Sequence, residues 1–538
     1  MRKNYILFFL LLFLAGCGGI RNMAEESAEY RHDLENRAIE LSEEDILNRS
    51  ENGNWQLRIH GDPYDLGYKK GLLTQELYAN QEKVFFDKVA EMVSKPSRQK
   101  KLLSFLKWFN RDMLKDVPLE YKQEIYALSG FASHRFDDLG SGFERNMLLH
   151  SAHDIGHAMQ DLMLVGCSSI VLWDDLSDDG RLLIGRNFDF YINDAFAENK
   201  IVEFISPEKG YRYASVTWPG MVGVVSGMNE KGLTVTLNAG RSSIPLKGKT
   251  PVSIVARYIL QYAQNLEEAQ QLAQKFSVFV SESLLIGSSQ DNRAVILEMS
   301  PKRFGIYETT NGRLVCTNHF QSAEYEHDKR NREQIEKSHS YYRKAKLDEL
   351  FAEDRKYSEA AVVEALRDVS GLGGRDIGLG NEKALNQLMA HHAVVFKPSE
   401  LKMWVSNSPY QLGAFDAYDL HTVFNTPGLK PIKELEFKAS DFVQSEDFNN
   451  YKRYRELDAT VGRAVHTREV LPDEVLYRLE HSNPELWEVY DRLGDYFSVQ
   501  HQLQKAVAMY GKALQKEISS EGARKNIEKK RKKYKKRL

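Results

Sequence analysis

The feature that most constrains this chain is an abrupt change of sequence period at Cys167. From residue 55 to about 163, apolar residues recur at three and four positions, as they do on the buried face of amphipathic helices. After Cys167, short β-branched and aromatic runs alternate with turn signals, as in "CSSIVLW", "RLLIGRNFDF", "MVGVVSG", "LTVTLNA", "SLLIGS", "AVILEMS", "HAVVFKP" and "LKMWVS". A helical half followed by meandering strands with helices set between them predicts an α+β fold, in which two antiparallel sheets pack together under helices.

The N-terminus carries the features of an export signal. Positive charge at residues 2 and 3 precedes an apolar run over residues 5–15, which is too short to span a bilayer. The run ends in "LAGC", which resembles the lipobox of bacterial lipoproteins and implies cleavage before Cys17 and lipid attachment to its thiol. We therefore expect a signal peptide over 1–16 and an exported body, periplasmic or at the cell surface, that is anchored to a membrane. The alternative is an ordinary signal peptide with a chance cysteine.

The remaining domain boundaries follow from shifts in composition. With 538 residues, of which 42% are hydrophobic, the chain is long enough for two or three domains with a sizeable core. We expect a polar tether over 17–52, a helical pro-region over 53–166, a catalytic domain over 167–431 and a helical C-terminal region over 432–538. The formal net charge of -3 gives no general case for binding nucleic acid.

The C-terminal region contains one candidate protein-docking unit. Small and aromatic residues over about 487–520 match the spacing of a single tetratricopeptide-like helix hairpin. One such unit cannot bury its own face, so it either docks a protein partner or packs on the catalytic body as a helical appendage. The basic end, "KKRKKYKKRL", is either a solvated helix end or a contact for anionic lipid or polysaccharide.

Cys167 has three interpretations from the sequence. It is a buried core thiol, or the partner of Cys316 in a disulfide that an oxidising compartment would permit, or a free nucleophile. The third interpretation draws on its place directly after Gly166, a residue that permits the backbone geometry a self-cleaving peptide bond needs. Cleavage there would make Cys167 an N-terminus, and its α-amino group, with a pKa near 8, would serve as the base for its thiol.

The hairpin that follows supplies two candidate partners for this thiol. It should bring Arg186 roughly opposite Cys167, where a fixed cation favours the thiolate. Asp189 would hold the α-ammonium group, but a regular strand would turn it to the face away from Arg186. A bulge or strand end near Asn187 is therefore required. The alternative is that Arg186 and Asp189 form a surface ion pair.

Four motifs in order carry a family resemblance. "GCSS", "GRNFDF", "GMNEKGLTVTLNA" and "CTNHF", preceded by "IHGDPYDLGYKKGLL", resemble the acyl-coenzyme A:6-aminopenicillanic acid acyltransferase family of N-terminal-nucleophile hydrolases, which are related to choloylglycine hydrolases and acid ceramidases. The likeness covers about residues 55–410 and implies an αββα sandwich, cleavage between Gly166 and Cys167, and Cys167 as the nucleophile. It also matches Arg186 and Asp189 to the family's arginine and aspartate.

The resemblance further implies roles for two asparagines. Asn238 matches a residue that helps to form the oxyanion hole, and Asn318 matches one that steadies the tetrahedral intermediate. The alternative for either residue is a turn cap at a strand end. The chain departs from its relatives in a longer hairpin after Cys167, and it offers no match for the second arginine of choloylglycine hydrolases, which puts bile-salt specificity in doubt.

Several other features give weaker signals. His150, His153 and His157 recur at helical spacing with Asp154, but no third metal ligand and no general-base glutamate stand in the expected frame. His319, His391 and His392 are interpreted as polar strand or turn residues, and "PGMVGVV" lacks the lysine of a phosphate loop. We expect neither a metal nor another cofactor.

The leading hypothesis is an exported, lipid-anchored, self-processing amidase or acyltransferase. Its partners would be a small N-acyl amide substrate, the membrane through Cys17, and a candidate protein partner at the C-terminal helices, with no nucleic acid. The competing hypothesis is a non-catalytic lipoprotein that binds its partner through the C-terminal helices.

Overall fold

The computed structural model describes residues 18–93, 95–110, 113–158, 165–190, 193–243, 247–352, 355–389 and 391–538. Its strands are β1 Ile46–Arg49, β2 Trp55–Gly61, β3 Val165–Leu172, β4 Leu183–Phe190, β5 Ile201–Pro207, β6 Tyr213–Thr217, β7 Ser226–Asn229, β8 Leu233–Ala239, β9 Glu282–Ser288, β10 Arg293–Met299, β11 Phe304–Tyr307, β12 Arg313–Cys316, β13 His392–Lys397, β14 Lys402–Ser406 and β15 Phe415–Asp419.

Helices precede, separate and follow these strands. They are α1 Gly18–Glu35, α2 Pro63–Met92, α3 Pro96–Phe109, α4 Met113–Asp116, α5 Leu119–Ser129, α6 Gly142–Ala158, α7 Asp194–Glu198, α8 Val252–Tyr262, α9 Leu266–Ala273, α10 Lys329–Lys337, α11 Ser340–Leu350, α12 Glu359–Leu366, α13 Leu420–Asn425, α14 Glu446–Thr467, α15 Asp473–Ser482, α16 Trp487–Val499, α17 Leu503–Ala513 and α18 Glu521–Lys535.

Two sheets form the centre of the molecule. Within the described residues, nine strands make one sheet in the order β1-β2-β5-β6-β7-β8-β9-β10-β11, and six make the other in the order β12-β3-β4-β13-β14-β15. Neighbouring strands are antiparallel except β2 and β5, which run parallel. The chain passes from one sheet to the other between β2 and β3, between β4 and β5, and again between β11 and β12, so both sheets must form for either to be complete.

Apolar side chains bury both faces of both sheets. The inner faces pack on each other through residues such as Ile184, Phe204 and Phe396. The outer face of the nine-stranded sheet is covered by α8 and α9, with Val255 and Ile259 among the contacts. The outer face of the six-stranded sheet is covered by α11 and α12. The α+β class and the αββα layering expected from the sequence are therefore confirmed.

The segment ahead of Cys167 is part of this sandwich. β1 pairs with β2 at residues that the sequence suggested were tether, and β2 pairs along its full length with β5. The motif "HGDPY" then starts α2: Asp62 caps the helix by accepting hydrogen bonds from the backbone of Tyr64 and Asp65, with Pro63 in the first turn. The expectation of a polar tether to residue 52, followed by a helical pro-region, is corrected here, because residues 46–49 and 55–61 are strands that complete the sheet.

The C-terminal helices form a separate cluster that packs on the loop between α12 and β13. Leu388 of that loop lies in the same core cluster as Leu486 and Trp487. α16 and α17 form a helix hairpin in which Gly494 lies against the ring of Tyr510, and a Cβ at that glycine would come within 2.5 Å of the ring. In the part of the chain that is described, no helix is both long and apolar enough to cross a membrane.

Candidate active site

Cys167 is the third residue of β3 and is fully buried. β3 pairs with β4 in an unbroken antiparallel register that sets Cys167 opposite Phe188 and Ser169 opposite Arg186. Arg186 therefore lies two positions further along than the sequence analysis expected. Because alternate residues of a strand share a face, Arg186 still projects from the same face of the sheet as Cys167.

The guanidinium of Arg186 is fixed beside the thiol. Its Nη2 lies 3.7 Å from Sγ of Cys167 and also donates to the carbonyl of Leu237. Its Nη1 donates to the carbonyl of Val225 over 2.9 Å and to Oγ of Ser226. These contacts use every Nη hydrogen, so the cation cannot move away from the sulfur without losing several hydrogen bonds.

Burial dominates the electrostatics of the Cys167 thiol. Removal from water raises its pKa above the ordinary value, and this effect outweighs the opposing effect of Arg186. Arg186 acts in the direction expected from the sequence, because its charge favours the thiolate, but in the intact chain burial has the larger effect on the pKa. Arg186 instead supplies a charge and donors that become fully effective when the sulfur loses its proton.

Asn318 holds the backbone nitrogen of Cys167. Its Oδ1 accepts a hydrogen bond from that N–H over 2.8 Å, and its Nδ2 donates to the carbonyl of Ala239 over 3.1 Å. The backbone N–H of Asn318 is in turn held by Oγ of Ser340 at 2.8 Å. The side chain is thus fixed at both ends and aimed at the nitrogen that would become the α-amine.

A second buried arginine, Arg343, completes this side of the site. Its guanidinium donates to the carbonyl of Cys167, to Oγ of Ser168 over 2.7 Å, and to Oδ1 of Asn318 over 2.6 Å. The sequence analysis missed this residue. Its signal was a charged side chain on the buried stripe of α11, at the three- and four-residue spacing set by Ser340 and Leu347.

Asp189 does not contact the nitrogen of Cys167. The register of β3 and β4 runs without a break through Asn187, so the expected bulge is wrong and Asp189 faces the outer helical layer opposite Gly166. Nε2 of Gln411 donates to its Oδ1 over 3.3 Å. Burial raises the pKa of Asp189 to about 7, although Arg343, the hydrogen bond from Gln411 and Arg186 act in the opposite direction.

Asn238 lies on β8, across the gap between the two sheets. Its side chain lies 3.3 Å from Oγ of Ser169, and its Nδ2 donates to the carbonyl of Cys316 over 3.1 Å. Ser169 shares a strand face with Cys167, so Asn238 borders the site without a described hydrogen bond to the nucleophile. Its oxyanion role stays a prediction.

Gly166 is needed here for space. It lies within β3 with ordinary extended backbone, so the expected special backbone geometry is absent. A Cβ at this position would meet the amide of Gln387 at 2.6 Å. Gln387 therefore lies directly against the proposed scissile peptide bond.

Where their side chains are described, the remaining candidates form no second site. His150 is buried and uses both ring nitrogens, with Nδ1 bonded to the carbonyl of Asn146 and Nε2 accepting from the backbone of Val222 over 2.8 Å. The side chains of His153, Asp154 and His157, and Cys17 as a whole, lie outside the described residues. Among the described residues, Cys167 and Cys316 are both free thiols, so the alternative disulfide is not formed.

The comparison with known families identifies the central part of the chain. Residues 176–406 match the family model of acyl-coenzyme A:6-aminopenicillanic acid acyl-transferase. Over these residues the chain is similar to that family. The matching segment contains Arg186, Asp189, Asn238 and Asn318, and it starts nine residues after Cys167, at Leu176.

Individual proteins match about half of the chain. An uncharacterized protein of Archaeoglobus fulgidus is 28% identical over 275 residues, which cover 47% of this chain and 45% of that protein. Protein dcd1B of Dictyostelium discoideum is 23% identical over 255 residues, which cover 45% of this chain and 50% of that protein. The chain therefore spans about half the length of these curated relatives. A solved Caenorhabditis elegans ortholog of N-acylethanolamine-hydrolyzing acid amidase is 20% identical, with a TM-score of 0.32, over 43% of this chain and 93% of that one.

Proposed function

We propose that this protein is a self-processing cysteine amidohydrolase or acyltransferase, which cleaves a linear N-acyl amide through an acyl-enzyme on Cys167. The observation that carries the proposal is the convergence of three groups on one residue. Asn318 accepts a hydrogen bond from the backbone N–H of Cys167, and Arg343 donates one to its carbonyl. Arg186 lies beside its sulfur. A core thiol with a merely structural role needs none of these contacts.

The first amide that Cys167 attacks is its own. Sγ adds to the carbonyl carbon of Gly166, a thioester forms, and the C–N bond breaks to release the α-amine of Cys167. Water then hydrolyses the thioester, which restores the thiol and leaves a carboxylate on Gly166. The contact from Asn318 to the nitrogen favours this exchange because it stays in place as the amide nitrogen becomes an amine.

The same steps then act on an external amide. The α-amine takes the thiol proton as sulfur attacks the acyl carbonyl, and it returns that proton to the departing amine. Asp189, which lies opposite Gly166, would face the α-ammonium group once the Gly166 carbonyl has left. Asn238 would donate to the developing oxyanion, a contribution that is worth roughly 3–4 kcal/mol in comparable sites.

The acceptor of the acyl group follows from the proposed location. The predicted signal peptide and lipobox support an exported protein that is anchored through Cys17. Acyl-coenzyme A is a cytoplasmic compound, so water is the acceptor that an exported enzyme meets. The proposed reaction is therefore hydrolysis, with a membrane as one partner and a protein contact through the C-terminal helices as another.

The decisive experiment is mass analysis of the purified full-length protein. The wild type should give two polypeptides, of which the second begins at Cys167, and Cys167→Ala should remain one chain. Cys316→Ala is the matched control, because it removes an equally buried free thiol from the neighbouring strand and should leave cleavage unchanged. A thiol-directed acyl probe should label the second polypeptide of the wild type and of Cys316→Ala.

A wild-type chain that stays uncleaved and also resists the acyl probe would contradict the proposal and favour a non-catalytic binding lipoprotein. Screening N-acyl amino acids, conjugated bile acids and β-lactams against the processed protein would define the acyl group and the amine.

A further inference from the structure

Two consecutive histidines, His391 and His392, lie in the interior next to the proposed site. Each side chain is about 1% exposed. The backbone N–H of His391 donates to the carbonyl of Phe188 over 3.0 Å, and His392 is the pairing partner of Phe188 across β13 and β4. Phe188 in turn lies opposite Cys167, so one strand, β4, separates Cys167 from His392.

A continuous chain of hydrogen bonds connects Arg186 to these rings. Nη1 of Arg186 donates to Oγ of Ser226, which lies 2.8 Å from Nε2 of His392. Nδ1 of His392 lies 2.8 Å from Nδ1 of His391. Three consecutive hydrogen bonds therefore connect Arg186, beside the Cys167 thiol, to the imidazole of His391.

This series of hydrogen bonds determines which ring nitrogen of each histidine carries the proton. Arginine only donates, so Oγ of Ser226 accepts from Arg186. Among the described residues, Nε2 of His392 is the acceptor within hydrogen-bond distance of this hydroxyl, so we place the Ser226 proton on that bond. Both histidines are neutral, because burial, together with the nearby cations Lys200 and Arg186, lowers the pKa of His391 to about 3 and that of His392 well below its ordinary value. Neutral His392 then carries its proton on Nδ1 and donates to His391, which leaves the proton of His391 on Nε2.

That N–H is unsatisfied. Among the described residues, Nε2 of His391 has no hydrogen-bond partner, although its side chain is buried. A buried donor without a partner is costly, so we expect a group that is not part of the protein to accept this hydrogen bond. The surroundings are aromatic: the ring of His391 lies 6.2 Å from Phe188, 6.0 Å from Phe196 and 5.5 Å from Trp218.

Aromatic rings form a row that leads away from the strand pair of Cys167. Phe188 stacks on Phe190 with a centroid distance of 5.8 Å, and Phe190 stacks on Trp218 at 5.8 Å. Phe190, Phe196 and Trp218 also line a narrow cleft, whose opposite wall comes from α2 and α6 through residues such as Phe85 and Leu149. The ring of His391 lies beside Phe196 and Trp218, so an acyl group that extends from Cys167 along these rings would meet apolar surface and the Nε2–H of His391.

We propose that Nε2–H of His391 donates a hydrogen bond to an oxygen atom on the acyl chain of the substrate. The preferred substrates are then apolar acyl amides with a hydroxyl or keto oxygen along the chain. This inference rests on the proposed function. His391 is a specificity-determining residue in this scheme and takes no part in bond cleavage. The bound oxygen accepts the Nε2 proton that the protein itself leaves unpaired.

The test compares matched amides on the processed wild-type enzyme. One series carries a keto or hydroxyl oxygen moved stepwise along the chain, and the other has a methylene in its place. We expect kcat/KM to favour one oxygen position over its methylene analogue by roughly tenfold, which is the value of one net hydrogen bond.

Two variants of His391 distinguish a hydrogen bond to the substrate from a purely structural role of this side chain in the core. His391→Asn retains an acceptor near Nδ1 for His392 but lacks Nε2, so it should lose the preference while still cleaving the methylene amides. His391→Gln places an amide N–H near the Nε2 position and should keep part of the preference. Equal kcat/KM for both series at every position in the wild type would overturn the inference, whatever the variants do, and would leave the indole ring of Trp218 as the partner of that N–H. Absence of cleavage of all amides would instead contradict the proposed function.

Discussion

At the scale of single residues, the charged groups around Cys167 divide between the two faces of β3. Arg186 lies on the inner face with the thiol, whereas Arg343 and Asp189 lie on the outer side, at the carbonyl of Cys167 and opposite Gly166. The thiol is thus protonated and buried in the intact chain while donors surround the peptide bond next to it. This arrangement favours attack on the adjacent carbonyl over reaction with dissolved reagents.

The raised pKa of Asp189 predicts a pH dependence of stability. The folded carboxyl has a pKa of about 7 against an ordinary value of 3.8, so it binds a proton on folding within this interval. Its contribution is therefore fully present below pH 3.8 and is lost as the pH rises through 7. In the uncleavable Cys167→Ala background, we expect Asp189→Asn to become progressively more stable than its parent as the pH rises over this range.

Urea unfolding at several pH values measures this difference. Asp175→Asn is the control, because Asp175 is exposed on the turn after β3. A parallel pH dependence of Asp189→Asn and its parent would show that the carboxyl is not protonated by folding.

At the scale of elements, the sequence predicted structure that depends on neighbouring residues better than structure that depends on residues far apart in the chain. The hairpin of β3 and β4 follows from alternating apolar residues around a turn, and it was found where expected. β1 and β2 were missed because a four-residue strand has little pattern of its own, and because β2 pairs with β5, whose partners lie 146 residues away. Arg343 was missed for a similar reason, since its contact with Cys167 joins residues 176 positions apart.

The loop between α12 and β13 is the element that connects the site to the C-terminal helices. Gln387 of this loop contacts Gly166, while Asn483 exchanges two hydrogen bonds with the backbone of Leu379. Gly378, directly before Leu379, has a φ of +82°, and a Cβ there would be 2.4 Å from the backbone of Leu486. The loop can only approach α16 this closely because residue 378 has no side chain.

Gly378→Ala should therefore loosen the C-terminal helices. Gly373→Ala is the matched control: its φ is +66°, but no atom lies within 4 Å of its Cβ position. Both changes carry the left-handed backbone cost of roughly 1–2 kcal/mol, and Gly378→Ala adds roughly 1–3 kcal/mol of overpacking. Limited proteolysis should release the C-terminal helices faster in Gly378→Ala, and equal rates in the two variants would contradict this account of the interface.

At the scale of the whole molecule, the residues before and after Cys167 share one core. β2 pairs with β5, and Lys70 of α2 forms a buried ion pair with Glu203 of β5 at 3.0 Å. Arg257 of α8 forms another with Glu124 of α5 at 2.7 Å. Removing one partner of a buried pair leaves an uncompensated charge, which typically costs about 3–5 kcal/mol.

The two polypeptides that follow cleavage should therefore remain associated. We expect them to elute together in gel filtration under native conditions and to separate only after denaturation with guanidinium. Elution of the second polypeptide alone from an untreated sample would show that the shared sheet does not hold the fragments together.

The position of the scissile bond inside β3 has a kinetic consequence. Val165 and Gly166 pair with Phe190 and Asp189 of β4, and these pairings do not depend on the bond that is cut. If the proposed cleavage occurs, the enzyme would therefore retain its own first product, with the terminal carboxylate of Gly166 next to the thiol that an incoming acyl group must reach. These two residues would have to unpair from β4 before the first external turnover, so we expect product inhibition immediately after cleavage and a lag before full activity.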